Sequence, residues 1–110
     1  MARFKRLQVL LTMEELGLVP VFFTPDPEEA RNIAAACAGA GAVCVEMTNR
    51  GDHAVDVFSE VEHFLAAQYP RVIFGVGSVV DAATAALFIA HGANFVVSPV
   101  LDKETALVCN

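Results

Sequence analysis

The residues best suited to chemistry stand at one short apolar run. Val43–Glu46 has the length of a strand rather than of a helix, and it ends in Glu46, with Arg50 four residues further on. We place Glu46 at the C-terminal end of this strand and Arg50 in the turn before the next helix. In parallel α/β proteins, ligands bind where the strands end. A carboxylate and a guanidinium there could bind an anionic substrate and move its protons.

The same pair also has a purely structural interpretation, in which Glu46 is a carboxylate held by an ion pair with Arg50. Spacing alone does not separate the two interpretations. They are compatible, because burial together with a nearby arginine is a common way to tune a carboxylate for acid–base work.

A second candidate is Gly75–Ser78, a glycine-containing turn before a predicted helix. Such turns can bind phosphate at the start of a helix. This one has neither the third glycine of the dinucleotide fingerprint nor the lysine of a P-loop. We therefore expect a turn that shapes a substrate pocket, and we disfavour an independent nucleotide-binding domain.

Cysteines and histidines do not form a recognisable metal site. They are Cys37, Cys44 and Cys109, and His53, His63 and His91. An odd number of cysteines with no CxxC pair fits reduced thiols, which we expect to be buried as small apolar residues. The two histidines that share a predicted helix are ten residues apart, too far to bind one metal ion, so we expect surface positions.

The elements around these residues alternate between apolar strands and amphipathic helices, after an N-terminal helix at Leu7–Leu16. This order predicts a parallel sheet covered by helices, and four units suit an open sheet or half of an eight-unit barrel. Pro20 would place the first strand at a sheet edge or a bulge. The predicted strands are Leu18–Phe23, Val43–Glu46, Arg71–Phe74 and Asn94–Val97, and the predicted helix caps are Asp26, Asp52, Asp81 and Asp102.

Composition limits the classes of function. The 110 residues suffice for one domain, residues 1–110, and 55% of them are hydrophobic, which indicates that the chain oligomerises or belongs to a larger fold. The net charge is −6 and no cluster of the seven basic residues forms a stripe, which disfavours nucleic-acid binding. No run is long enough to span a membrane, so we expect a cytoplasmic protein.

Four motifs in order along the chain resemble one known family. They are Val19-Pro20-Val21, Val45-Glu46-Met47-Thr48-Asn49-Arg50, Gly75-Val76-Gly77-Ser78-Val79 and Ser98-Pro99. The chain looks like the first half of the class I aldolases that act on 2-keto-3-deoxy-6-phosphogluconate and 4-hydroxy-2-oxoglutarate. The resemblance implies the N-terminal half of a (β/α)8 barrel preceded by a helix, a homotrimer, no cofactor, and retro-aldol cleavage that releases pyruvate through a lysine Schiff base.

The resemblance also assigns roles to residues. Glu46 corresponds to the glutamate that shuttles protons, and Arg50 to the arginine that holds the substrate carboxylate. Ser78 stands where the family usually has threonine, and either hydroxyl can bind a carboxylate oxygen. Pro99 matches the proline of the family's Ser-Pro-Gly motif, although Val100 replaces the glycine.

The family's Schiff-base lysine has no counterpart here, because it lies beyond the position that matches Asn110. The two lysines present, Lys5 and Lys103, both have the sequence setting of solvated surface residues. We therefore expect an aldolase half that is inactive alone. The alternative is a non-enzymatic half-barrel that self-associates and at most binds small carboxylates.

Overall fold

Apolar strands near the middle of the chain pair in parallel and are joined by helices. The computed structural model describes residues 1–110. The strands are β1 (Val21–Phe22), β2 (Cys44–Thr48) and β3 (Ile73–Gly77), and the helices are α1 (Arg6–Leu16), α2 (Pro27–Gly39), α3 (Ala54–Gln68), α4 (Ala82–Ala90) and α5 (Lys103–Cys109).

The sheet has the order β1-β2-β3, and both pairings are parallel. Glu46 lies between Val21 of β1 and Gly75 of β3 in this register. Every residue of β2 and of β3 is buried, as expected for parallel strands covered on both faces. β1 is an edge strand of two residues that follows Pro20, which confirms the prediction made from that proline.

The outer face of the sheet carries the main hydrophobic core. Val45 and Met47 point to this face and pack with buried residues of α2, α3 and α4. The aromatic ring of Phe58 stacks on Phe74 at 4.5 Å between centroids and meets Phe88 edge-on at 5.2 Å. These contacts hold the helices against the outer face of the strands. Side chains at the alternate strand positions therefore point to the opposite face, which we call the inner face.

The inner face is covered at its N-terminal end by α1. Val9 of this helix is buried against Cys44 and Ile73, with Phe95 partly buried beside them. The rest of α1 is largely exposed, so it covers one end of the sheet and leaves the carboxyl end open.

Three of the four predicted helix caps are confirmed. The carboxylates of Asp26, Asp81 and Asp102 each accept a backbone N–H near the start of α2, α4 and α5. The prediction for Asp52 is wrong, because α3 begins at Ala54 and the residue before it is His53, which makes no side-chain cap. Asp52 lies one position too early to reach the first free N–H groups.

The predicted fourth strand, Asn94–Val97, is present only in part. The segment follows β3 with bonds from the Val76 N–H to the Phe95 carbonyl (3.1 Å) and from the Val97 N–H to the Val76 carbonyl (2.8 Å), but the pairing amounts to a single bridge at Val96. No strand lies on its other side. A parallel strand at an unpaired edge has little to hold it straight, which explains the short pairing.

An N-terminal segment fastens the first helix to the rest of the fold. Arg3 Nε forms an ion pair with Glu62 Oε1 at 3.0 Å, and the Arg3 side chain also donates to the carbonyls of Pro70 and Val72. The Asn94 side chain accepts the Arg3 backbone N–H at 2.8 Å. None of the five helices is both long and apolar enough to cross a membrane.

Candidate active site

Glu46 is a buried acidic residue on the inner face of the sheet. It is the third of the five residues of β2, so it lies two residues before the strand end and not at the end itself, where we had placed it. Strand alternation puts its side chain on the same face as Cys44 and Thr48 and opposite to the main core. Only 8% of the residue is exposed.

Gly77 gives the Glu46 carboxylate its space. A Cβ atom at position 77 would lie 1.7 Å from Glu46 Oε1 and 2.6 Å from Glu46 Cδ, so no larger residue fits beside this rotamer. The carboxylate therefore extends across β3 toward its C-terminal end, where Ser78 follows. The glycine in this motif serves close approach of a side chain rather than a turn.

Burial raises the pKa of the Glu46 carboxyl above its ordinary value. No ion pair or hydrogen bond to a cation offsets the loss of solvent. Burial of Cys44, together with the nearby Glu46 charge, raises the pKa of the Cys44 thiol to about 11. Cys44 is therefore an inert thiol at neutral pH, whereas Glu46 is shifted toward the range useful for proton transfer.

Ser78 has a backbone conformation that costs energy. Its φ of 59° makes it the sole residue other than glycine with a positive φ in the 110 residues. Such conformations persist where the surrounding structure imposes them, and they concentrate at functional sites. Ser78 is half-buried at the carboxyl edge of β3, and it directly follows Gly77, the residue that the Glu46 carboxylate reaches.

Arg50 and Pro99 also follow strands at this edge, but both are exposed. Arg50 lies in the turn after β2, with its N–H bonded to the Thr48 carbonyl at 3.1 Å. It makes no ion pair with Glu46, so the structural pairing considered for these two residues is not present. Pro99 lies beyond Val97 in the loop that leads to α5. Arg50, Ser78 and Pro99 thus follow strand segments at the carboxyl edge, and the Glu46 carboxylate reaches Gly77, the residue before Ser78.

Comparison with known proteins identifies the architecture. The family model for KDPG and KHG aldolases matches residues 9–110. This chain belongs to that family. A curated relative, the 2-dehydro-3-deoxy-phosphogluconate aldolase of Haemophilus influenzae, is 28% identical over 102 residues, which cover 93% of this chain and 46% of the relative.

Solved KDPG aldolases share the fold. The enzyme from Legionella pneumophila, which was captured with pyruvate as a covalent carbinolamine, is 26% identical with a TM-score of 0.70 over 82% of this chain and 42% of that one. The enzyme from Zymomonas mobilis ZM4, solved with 3-phosphoglycerate, gives 24% and 0.77 over 91% of this chain and 46% of that one. The chain spans about half the length of these aldolases. The prediction of an N-terminal half of a TIM barrel is confirmed.

The two lysines lie outside this site in the aldolase-family fold. Lys5 immediately precedes α1, which packs near Cys44 at the N-terminal end of β2, and Lys103 is the first residue of α5. Both are exposed, as their sequence setting predicted. Neither has the apolar surroundings that make an amine nucleophilic in class I aldolase chemistry.

Sequence reasoning missed how two residues shape the site, since it took Gly77 as part of a turn and did not consider Phe95. Gly77 belongs to strand β3 and makes room for Glu46, and the Phe95 ring covers the inner side of Gly75, where a Cβ would lie 2.5 Å from the ring. The two glycines of Gly75-Val76-Gly77 alternate along β3, so both face inward. This spacing is the signal that could have shown that the missing side chains of the two glycines leave room for Phe95 and Glu46.

The remaining candidate groups form no metal site. No cluster of three or more potential metal ligands is present among residues 1–110. The three histidines are exposed, which confirms that prediction. The cysteines are only partly as expected, because Cys44 is buried and Cys37 half-buried but Cys109 is exposed near the end of α5.

Proposed function

We propose that this chain carries the proton-transfer and carboxylate-binding part of a class I aldolase site. The reaction would cleave 2-keto-3-deoxy-6-phosphogluconate or 4-hydroxy-2-oxoglutarate into pyruvate and an aldehyde. The observation that carries the proposal is the buried, unpaired Glu46 on the inner face of a parallel half-barrel, in a chain that matches the aldolase family over residues 9–110.

Glu46 would act as the general acid and base. An acid–base catalyst works best when its pKa lies near the working pH, and burial moves Glu46 in that direction. Its position beside Gly77 directs the carboxylate toward the carboxyl edge of β3. The substrate of a TIM-barrel enzyme occupies that edge. Glu46 can therefore reach a proton on a keto acid bound above the strands.

Arg50, Ser78 and Pro99 would bind the pyruvyl part of the substrate. Arg50 is exposed and free of ion pairs, so its guanidinium is available for a two-pronged bond to a carboxylate. The Ser78 hydroxyl, held by an unusual backbone conformation, could donate to the same carboxylate. Pro99 would form part of the wall of the pocket.

The electron sink of the reaction would be a lysine outside this chain. In class I chemistry, an iminium between the substrate carbonyl and a lysine amine accepts the electrons of the breaking carbon–carbon bond. The carbinolamine captured in the Legionella pneumophila enzyme supports covalent attachment of pyruvate in this family. Because Lys5 and Lys103 are exposed, we propose that residues 1–110 alone are inactive.

The wider setting is proposed on the same basis. We expect the complete enzyme to be a cytoplasmic homotrimer, like the family it resembles, to need no cofactor and to bind a small keto acid. Residues 1–110 would form one domain, which is half of the barrel.

A second candidate function is a non-enzymatic half-barrel that self-associates and at most binds small carboxylates. The specific observation in its favour is that the chain has no buried amine, while large apolar residues such as Leu10, Val21 and Leu101 are exposed. Such surfaces mark interaction sites.

The test is to fuse this chain to the second half of the Haemophilus influenzae aldolase, which supplies the missing units. We expect the fusion to release pyruvate from 2-keto-3-deoxy-6-phosphogluconate, and Glu46→Gln to lower kcat at least about 100-fold. Glu14→Gln, an exposed glutamate on α1, is the matched control and should leave kcat unchanged.

Equal rates for the Glu46→Gln and parent fusions would contradict the proposed role. A folded fusion without activity would favour the second candidate. Borohydride treatment of residues 1–110 with pyruvate tests inactivity separately, because labelling of Lys5 or Lys103 would contradict it.

A further inference from the structure

The residue after Arg50 is a glycine at a place where a side chain has no room. A Cβ atom at Gly51 would lie 2.7 Å from Cζ of Phe23 and 3.4 Å from its Cε2. The φ of Gly51 is not positive, so the backbone conformation there does not require glycine. Gly51 therefore serves the close approach of the Phe23 ring to the turn that carries Arg50.

Phe23 is held by the body of the fold and not by this turn. It directly follows β1, and its half-buried side chain packs against the main hydrophobic core. The next residue, Thr24, is buried, and its hydroxyl donates to Glu29 Oε2 at 2.8 Å and accepts the Asp26 N–H at 3.3 Å. The ring therefore meets Gly51 from a fixed position.

The turn that carries Arg50 lacks a contact that the turns before α2, α4 and α5 have. Each of those helices is capped by an aspartate, but the residue before α3, His53, makes no side-chain cap. The start of the turn is tied to β3 by a bond from the Asn49 N–H to the Gly77 carbonyl at 2.8 Å. Beyond Arg50, the contact of the Phe23 ring with Gly51 takes the place of the missing cap.

We propose that Phe23 is a positioning residue for Arg50, because its ring fixes the turn from which the guanidinium meets the carboxylate of a keto acid. This inference rests on the proposed role of Arg50 and adds the end of β1 to the site. Arg50 is exposed, and ordering such a side chain costs free energy when an anion binds. A turn that is already held lowers this cost, so the contact acts on substrate affinity and not on the chemical step.

The first experiment measures order at Arg50 in residues 1–110. Leucine lacks Cζ and both Cε atoms, the ring atoms that lie within 4 Å of a Cβ at Gly51. In Phe23→Leu, the nuclear magnetic resonance order parameter of the Arg50 N–H should therefore fall from the rigid value of about 0.85 toward about 0.6. Adding Gly51→Ala to Phe23→Leu places a methyl group in the vacated space and should restore the order.

Phe64→Leu is the matched control. Phe64 is another half-buried phenylalanine on the same core, but it lies near the C-terminal end of α3, away from the turn before that helix. It should leave the order of Arg50 unchanged. Equal order at Arg50 in the parent and in Phe23→Leu overturns the proposal, and so does an equal loss in Phe64→Leu, which would show a general effect of a smaller core.

The second experiment measures kinetics in the fusion with the second half of the Haemophilus influenzae aldolase. Binding that is common to substrate and transition state changes KM alone, so Phe23→Leu should raise KM at least about 5-fold and keep kcat within about 2-fold. Gly51→Ala together with Phe23→Leu should return KM toward the parent value. In the Arg50→Gln fusion, Phe23→Leu should raise KM no further, because the two residues act as one unit.

The outcomes separate this inference from the proposed function. Unchanged KM in Arg50→Gln alone would contradict the proposed role of Arg50. A lowered KM-independent kcat in Phe23→Leu, or its full effect on KM in the Arg50→Gln fusion, would instead contradict the positioning role of Phe23 and leave the role of Arg50 intact.

Discussion

Gly77→Ala is the sharpest perturbation of the site, because it acts on Glu46 without changing any ionisable group. The new Cβ would lie 1.7 Å from Glu46 Oε1, a distance that real Cβ atoms do not adopt. The overlapping atom is the far end of a flexible side chain, so we expect Glu46 to rotate away while the backbone stays. Rotation out of its buried position returns the carboxylate to water.

The stability change should be small and the pKa change clear. Overpacking costs about 1–3 kcal/mol, and a movable side chain puts this case at the low end. Replacing glycine by alanine recovers about 0.4–1 kcal/mol by restricting the unfolded chain. The two effects nearly cancel, so the decisive quantity is the pKa of Glu46, which should fall toward the ordinary 4.5 once burial no longer raises it.

The assay is a titration of the Glu46 carboxyl by nuclear magnetic resonance in the parent chain and the variant. Gly39→Ala is the matched control, because no atom lies within 4 Å of its added Cβ, and it should leave the pKa of Glu46 unchanged. Glu46→Asp combined with Gly77→Ala shortens the acid by one methylene and should restore part of the raised pKa. A Glu46 pKa that is equally high in the parent and in Gly77→Ala would refute the clearance role of the glycine.

Three further predictions concern stability. Burial raises the pKa of Glu46, so protonated Glu46 stabilises the fold fully below pH 4.5, and this stabilisation is lost as pH rises through the pKa of the folded state. Over that range, the unfolding free energy of Glu46→Gln relative to the parent should grow by at most about 1.4 kcal/mol per pH unit in urea unfolding. A constant difference would argue against burial. Hydrogen bonds from Thr84 lower the pKa of Asp81, so the loss of thermal stability in Asp81→Ala should be present at neutral pH and shrink below pH 3.8; an equal loss at all pH values would contradict this cap. Arg3→Met should lower the free energy of unfolding in urea by about 1–3 kcal/mol, because the buried Glu62 carboxylate loses its cation. If the ion pair is the cause, adding Glu62→Gln should recover part of that loss.

The order of strands and helices could be predicted because apolar runs and helix caps are local signals. Asp26, Asp81 and Asp102 each stand directly before a helix whose first N–H groups need an acceptor. Asp52 has the same residue type in a similar context, yet α3 starts one residue later than its cap requires. Sequence defines the presence of such a helix more reliably than the position of its first turn.

The pairing of the last strand depends on residues outside the local sequence. Asn94–Val97 is as apolar as β3, but a strand forms over its full length only when it is paired, and one side of this segment is open. The relation of Gly77 to Glu46 is non-local in the same way. Two strands must first align in register before a missing side chain on one makes room for a carboxylate on the other.

The contacts that Arg3 makes with distant residues affect the order in which the fold assembles during translation. Its ion-pair partner Glu62 is made 59 residues later, and Asn94, which accepts its backbone N–H, 91 residues later. At ribosomal speeds of about 5–20 residues per second, the beginning of the chain waits about 5–20 s for Asn94 to be made. The segment around Arg3 is thus among the last to settle, and until then Val9 of α1, which is buried against Cys44 and Ile73 in the fold, is open to chaperones and to neighbouring nascent chains.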